Sequence, residues 1–181
     1  MRHLIDFGDL TRAEWESLYQ RCSDIMDHPA DFMDACRGRV MASLFYEPST
    51  RTNFSFQTAM LRVGGTVFGF ADPKSTSTAK GETLKDTIKM VSGYADVVVM
   101  RNPKEGAAKA ASLYSDVPVI NAGDGGHMHP TQTTADLTTI TRLRGKVDGL
   151  SVGLCGDLKN GRTVHSPVSY THLTLPTTPY V

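Results

Sequence analysis

Cysteine is scarce in this chain of 181 residues, and charge of either sign never gathers: there are three thiols, one tryptophan, and 19 basic against 19 acidic side chains. Cys22, Cys36 and Cys155 lie far apart with no C-x-x-C spacing. That excludes a disulfide framework and a structural zinc site, and leaves buried free thiols in a reducing compartment as the expectation. Without a block of lysine and arginine there is no footprint for nucleic acid or for an anionic membrane surface. No apolar run approaches the roughly 20 residues that cross a bilayer, and Met1-Arg2-His3-Leu4-Ile5-Asp6 lacks an apolar signal core. Walker loops, G-x-G-x-x-G fingerprints and nucleophile elbows are absent as well. A cytoplasmic protein with no cofactor, metal, nucleic-acid partner or membrane partner is expected.

What the chain does have is a 40% apolar share and a regular alternation of patterns. Thr11-Arg12-Ala13-Glu14 is a capping box, and Trp15, Leu18, Tyr19, Cys22 and Ile25 follow at helical spacing as a core stripe. A buried strand is predicted over Val40–Tyr46. The helix after it carries Phe54, Phe56, Met60, Leu61 and Val63 and stops at Gly64-Gly65. Strands at 66–70, 97–100, 117–120 and 150–155 alternate with helices: one bearing Leu84, Ile88, Val91 and Tyr94, one over 105–114, and one over 131–143. Apolar strands alternating with helices specify an α/β fold, a parallel sheet with helices on both faces. The segment 142–149 has the charge and glycine of a hinge. The expected division is residues 1–143 as the first domain, 144–166 as hinge and start of a second α/β domain, and 167–181 as a proline- and threonine-rich tail that does not pack.

In such a sheet ligands bind beyond the carboxyl ends of the strands. Four loops there carry chemistry. Ser49-Thr50-Arg51-Thr52 packs hydroxyls and a guanidinium into a helix's first turn, where unpaired N–H groups and the dipole favour an anion; alone, it reads more readily as an ordinary N-cap beside a surface arginine, and the loops downstream reverse that. Arg101 directly follows the valine run, a place where a solvated arginine is also common. His129 and Gln132 stand at a helix start after a glycine-rich loop, although a histidine before proline is often structural. Arg162 lies in the loop 156–165. These groups are donors without a covalent nucleophile, suited to holding a phosphate and a carbonyl oxygen while two substrates react directly.

Phe45-Tyr46-Glu47-Pro48-Ser49-Thr50-Arg51-Thr52, Lys80-Gly81-Glu82-Thr83, Met100-Arg101, His129-Pro130-Thr131-Gln132 and the run Gly156–Ser166 together resemble the aspartate/ornithine carbamoyltransferase family, on its aspartate-using branch. The resemblance implies transfer of the carbamoyl group from carbamoyl phosphate to the amine of L-aspartate, giving N-carbamoyl-L-aspartate and phosphate for pyrimidine synthesis. It implies that Ser49, Thr50, Arg51 and Thr52 hold the phosphate. Thr52, Arg101 and His129 would donate to the carbonyl oxygen, with Gln132 meeting the amino group and Arg162 an aspartate carboxylate. Lys80, with Thr76 or Ser77, resembles the loop that members lend to a neighbouring subunit's site, which implies a homotrimer and leaves regulatory chains open; the same loop reads on its own as a solvated one.

The alternatives are the ornithine-using branch and a non-catalytic carbamoyl phosphate-binding fragment. That branch usually has Cys where Thr131 stands, and a dianionic acceptor suits Arg162 better than a cationic one. Asn53 departs from the second arginine common in the motif. The resemblance ends at Ser166, after which the letters read like translated adapter text or a frameshifted end. The 181-residue chain itself is therefore expected to be inactive.

Overall fold

The apolar runs β1 (Val40–Phe45), β2 (Thr66–Phe70), β3 (Val97–Asn102) and β4 (Val119–Asp124) pair as one all-parallel sheet in the order β2-β1-β3-β4. This computed structural model describes residues 1–153. The helices are α1 (Arg12–Asp27), α2 (Thr50–Arg62), α3 (Leu84–Val91), α4 (Ala107–Ser112) and α5 (Pro130–Arg144).

Period-2 alternation sends successive strand residues to opposite faces. Ala42, Leu44, Val98 and Met100 pack on Ile88 and Val91 of α3 and on Ala107, Ala108 and Ala111 of α4. Met41, Phe45 and Val99 point the other way, against Met60 and Phe56 of α2. Both faces are thus covered, as the patterning predicts. Each fully buried side chain such as Leu44 or Phe45 contributes about 1.5–3 kcal/mol. Edge strand β2 approaches β1 closely only because Gly69, at φ +150°, faces Ser43; a Cβ there would lie 1.9 Å from the Ser43 carbonyl oxygen.

The capping box forms as read. Thr11 N–H donates to Glu14 Oε2 at 2.7 Å, and Glu14 N–H donates back to Thr11 Oγ1 at 3.3 Å. The stripe that follows is core only in part: Trp15 is buried against Phe7 and Leu137, while Ile25 is exposed. The reason is that α1 packs on α5 and on the 3-10 turn Pro29–Phe32 instead of lying flat on the sheet. Phe54, Leu61 and Tyr94 are likewise exposed. Cys22 and Cys36 are free thiols, half-buried rather than buried, and Cys155 lies outside the described residues.

Residues 142–144, read as the start of a hinge, complete α5 instead. Arg142 pairs with Asp27 at 2.7 Å, and Arg12 reaches Asp148 at 2.6 Å, so the segment after α5 is fastened to α1. Residues 150–153 form no strand, contrary to expectation, and 154–155 fall outside the described residues.

Candidate functional site

The chain leaves β1 through α2 on one face to reach β2, then crosses through α3 on the other face to β3. That reversal opens a crevice between the carboxyl ends of β1 and β3. Arg101 stands in it, with a side chain only 14% exposed. Its Nε donates to Glu47 Oε1 at 2.7 Å and its guanidinium to the Ala122 carbonyl at 3.3 Å, while its own carbonyl accepts from the Tyr46 N–H at 2.9 Å. It is not a solvated surface arginine. It ties the loop after β1 to the ends of strands β3 and β4. Burial pushes the phenol of neighbouring Tyr46 up to about 12, with the Glu82 carboxylate adding to the shift, so it stays protonated.

Ser49 caps α2 through its backbone, its carbonyl accepting from Asn53 N–H at 3.0 Å, and its side chain makes no capping hydrogen bond. The N–H groups of the first turn therefore point outward without intrahelical acceptors, and Thr50 and Arg51 are exposed there. Asn53 is buried beneath this turn. Its Oδ1 accepts from Ser43 Oγ at 2.8 Å and from Gln57 Nε2 at 2.7 Å, pinning α2 to β1.

At the start of α5, His129 is the N-cap, 8% exposed, with Thr131 Oγ1 3.3 Å from its Nδ1. When the hydroxyl donates to Nδ1 the ring proton sits on Nε2, the tautomer able to donate to a carbonyl oxygen; the geometry admits the reverse direction equally. Gln132 Nε2 donates to Asp136 at 2.9 Å, which leaves Oε1 as the end suited to accept from an amino group. Thr52, His129 and Gln132 line one groove of about 330 Å³ between the starts of α2 and α5, together with Phe56 and Ala135. Thr76, Ser77 and Lys80 are not brought to it. They line a separate cavity of about 640 Å³ with Leu44, Phe70 and Met90, on the β2 side of the sheet. Arg162 lies outside the described residues.

Two groups at this rim escaped the sequence reading. The motif contains Glu47 without pointing to a role for it, and its position before Pro48-Ser49 is its one local signal. Asp124 sat in a run read for its glycines; its burial at 2% exposure is a tertiary fact.

A family model described as "Aspartate/ornithine carbamoyltransferase, carbamoyl-P binding domain" matches residues 2–142. The chain belongs to this family. It is 56% identical to the aspartate carbamoyltransferase catalytic subunit of Clostridium perfringens over 165 residues, covering 91% of this chain and 54% of that protein. The Clostridium acetobutylicum counterpart is 58% identical over the same length. Among solved structures, the catalytic subunit of M. jannaschii aspartate transcarbamoylase superposes with a TM-score of 0.86 at 47% identity, over 96% of this chain and 57% of that one. Aspartate transcarbamoylase from Trypanosoma cruzi in complex with carbamoyl phosphate and aspartate gives a TM-score of 0.86 at 40% identity, over 92% and 56%. This carbamoyltransferase family member spans about half the length of the curated relatives it matches.

Proposed function

We propose that this chain is the carbamoyl phosphate-binding half of an aspartate carbamoyltransferase. The observation that carries the reading is the meeting of Thr52, His129 and Gln132 in one groove at two helix starts, beside an Arg101 drawn into the switch-point crevice. In this reading Ser49, Thr50, Arg51 and Thr52 hold the phosphate with first-turn N–H groups and a guanidinium fork. Thr52, Arg101 and His129 donate to the carbonyl oxygen, and Gln132 Oε1 accepts from the amino group.

Attack by the neutral amine of aspartate forms a C–N bond and loads negative charge on that oxygen; collapse of the adduct breaks the C–O bond to phosphate, which leaves carrying the proton that the amine gives up. Each donor aimed at such charge typically lowers the barrier by about 2.7–4 kcal/mol. Arg162 takes an aspartate carboxylate, and the loop bearing Thr76, Ser77 and Lys80 serves a neighbouring copy in a cytoplasmic homotrimer.

Calorimetric titration of the 181-residue chain with carbamoyl phosphate, followed by an assay with aspartate, tests this. Binding without turnover is expected, and absence of binding overturns the reading. In a chain carrying both domains, Arg51→Ala or His129→Ala is expected to lower turnover by about a hundredfold or more. Unchanged turnover removes that residue from the catalytic set.

A further inference from the structure

The loop that delivers His129 has little of its own to hold it: between Asp124 and His129 stand only Gly125, Gly126, His127 and Met128. A buried carboxylate does the holding. Asp124 Oδ1 accepts from the Met128 N–H at 3.1 Å and from the Asn121 amide at 3.1 Å, and Oδ2 accepts from the Gly106 N–H at 2.9 Å. The backbone of the same residue adds a second clamp. Its N–H donates to the Met128 carbonyl at 3.2 Å, and its carbonyl accepts from the His127 N–H at 3.0 Å. Asn121, itself 0% exposed, is held in turn, donating to the Ile5 carbonyl at 3.0 Å and accepting from Gly123 N–H at 2.9 Å.

Closing a strand does not require a charge, and burying one is costly unless donors surround it. Here the donors are two backbone N–H groups from different elements and one fixed amide, with the His127 Nδ1 of the same loop 3.7 Å from Oδ1, an arrangement that sets the position of a loop.

We propose that Asp124 is a positioning residue of the candidate site: through Met128 it fixes the approach of His129 to the carbonyl-bearing end of the ligand, and through Gly106 it ties that loop to the start of α4. The inference rests on the carbamoyl phosphate reading above and adds a selectivity to it. The phosphate groups Ser49–Thr52 hang from β1 and α2, with β3 lying between β1 and β4. His129 is one residue beyond Met128. Loosening the Asp124 clamp therefore weakens recognition of the carbamoyl end and leaves recognition of the phosphate end in place.

The test is a pair of titrations on the 181-residue chain and its Asp124→Asn variant, one with carbamoyl phosphate and one with inorganic phosphate. Asparagine keeps the volume but turns one acceptor oxygen into a donor facing another N–H. The expected result is about a tenfold loss of affinity for carbamoyl phosphate with phosphate affinity held within about twofold. Equal losses for both ligands mark a general structural role and overturn the proposal, as does no loss for either. Binding of phosphate alone by the unmodified chain sinks the carbamoyl phosphate reading itself.

Should the variant not fold, or the unmodified chain take neither ligand, amide hydrogen exchange in the unmodified chain decides on Asp124. Met128 and Gly106 amides as slow as those of β3 and β4 sustain the clamp, and exchange at the rate of an open loop removes it.

Discussion

At the scale of single residues, Asn53 illustrates how a departure from a motif is absorbed. The motif that the chain resembles commonly has a second arginine there. The structure instead buries a neutral amide whose Oδ1 takes hydrogens from Ser43 of β1 and from Gln57 one turn along α2. Removing the shared acceptor strands a buried hydroxyl, and leaving such a group unpaired costs about 1–3 kcal/mol. Asn53→Ala should therefore lower the unfolding free energy by about that much, seen in urea as a lower midpoint with an unchanged slope. A change below about 0.5 kcal/mol would be that of an ordinary surface position and would deny Asn53 its role as the tie. The same scale explains why Arg101 was legible and its partner was not. The arginine stood out at the end of a valine run, whereas Glu47 lies 54 residues away and meets it only once β1 and β3 pair.

At the scale of elements, the N-terminal segment works as a short extra strand on the free side of β4. Leu4 N–H donates to the Val119 carbonyl at 2.9 Å, Asn121 N–H donates to the Leu4 carbonyl at 2.8 Å, and Val119 N–H donates to His3 Nδ1 at 3.1 Å. That last bond needs an unprotonated Nδ1. Burial holds the His3 pKa below the usual histidine value, aided by the positive N-terminal amine and Lys109. A depressed folded-state value means the unfolded chain binds the proton first as pH falls. The clasp is therefore at full strength above the ordinary value of about 6.5 and fades as pH drops from there through the lowered one. His3→Asn keeps an acceptor in place but cannot titrate. Denaturation at pH 7.5 and 5 should show a smaller loss in that variant than in the unmodified chain, and equal losses would sink the assignment.

Strand β4 also shows where pattern reading slips. The sequence suggested 117–120, yet Pro118 offers no N–H, and the strand runs on through Asn121, Ala122, Gly123 and Asp124, residues typical of turns. Pairing with β3 on one side and Leu4 on the other overrides their local preference. The starts of α1 and α5 were legible because their signals, a capping box and a proline at the first position, are local.

At the scale of the whole molecule, the groups proposed to hold carbamoyl phosphate come from the ends of β1, β3 and β4 and from the first turns of α2 and α5. Their alignment along one rim follows from parallel strands, which is why the edge was legible in the alternation of patterns while the separate placement of Thr76, Ser77 and Lys80 was not. No short piece of the unfolded chain carries this set, so the ligand binds the folded sheet alone and its binding energy adds to stability. At a ligand concentration one hundred times the dissociation constant the gain is about 2.7 kcal/mol. For a domain of this size each kcal/mol raises the midpoint by roughly 2–4 °C, giving a rise of about 5–10 °C in a thermal scan with carbamoyl phosphate. The rise should shrink sharply in Arg51→Ala, whose exposed side chain is proposed to hold the phosphate and lies outside the core. An equal rise in that variant would place the ligand somewhere other than the first turn of α2.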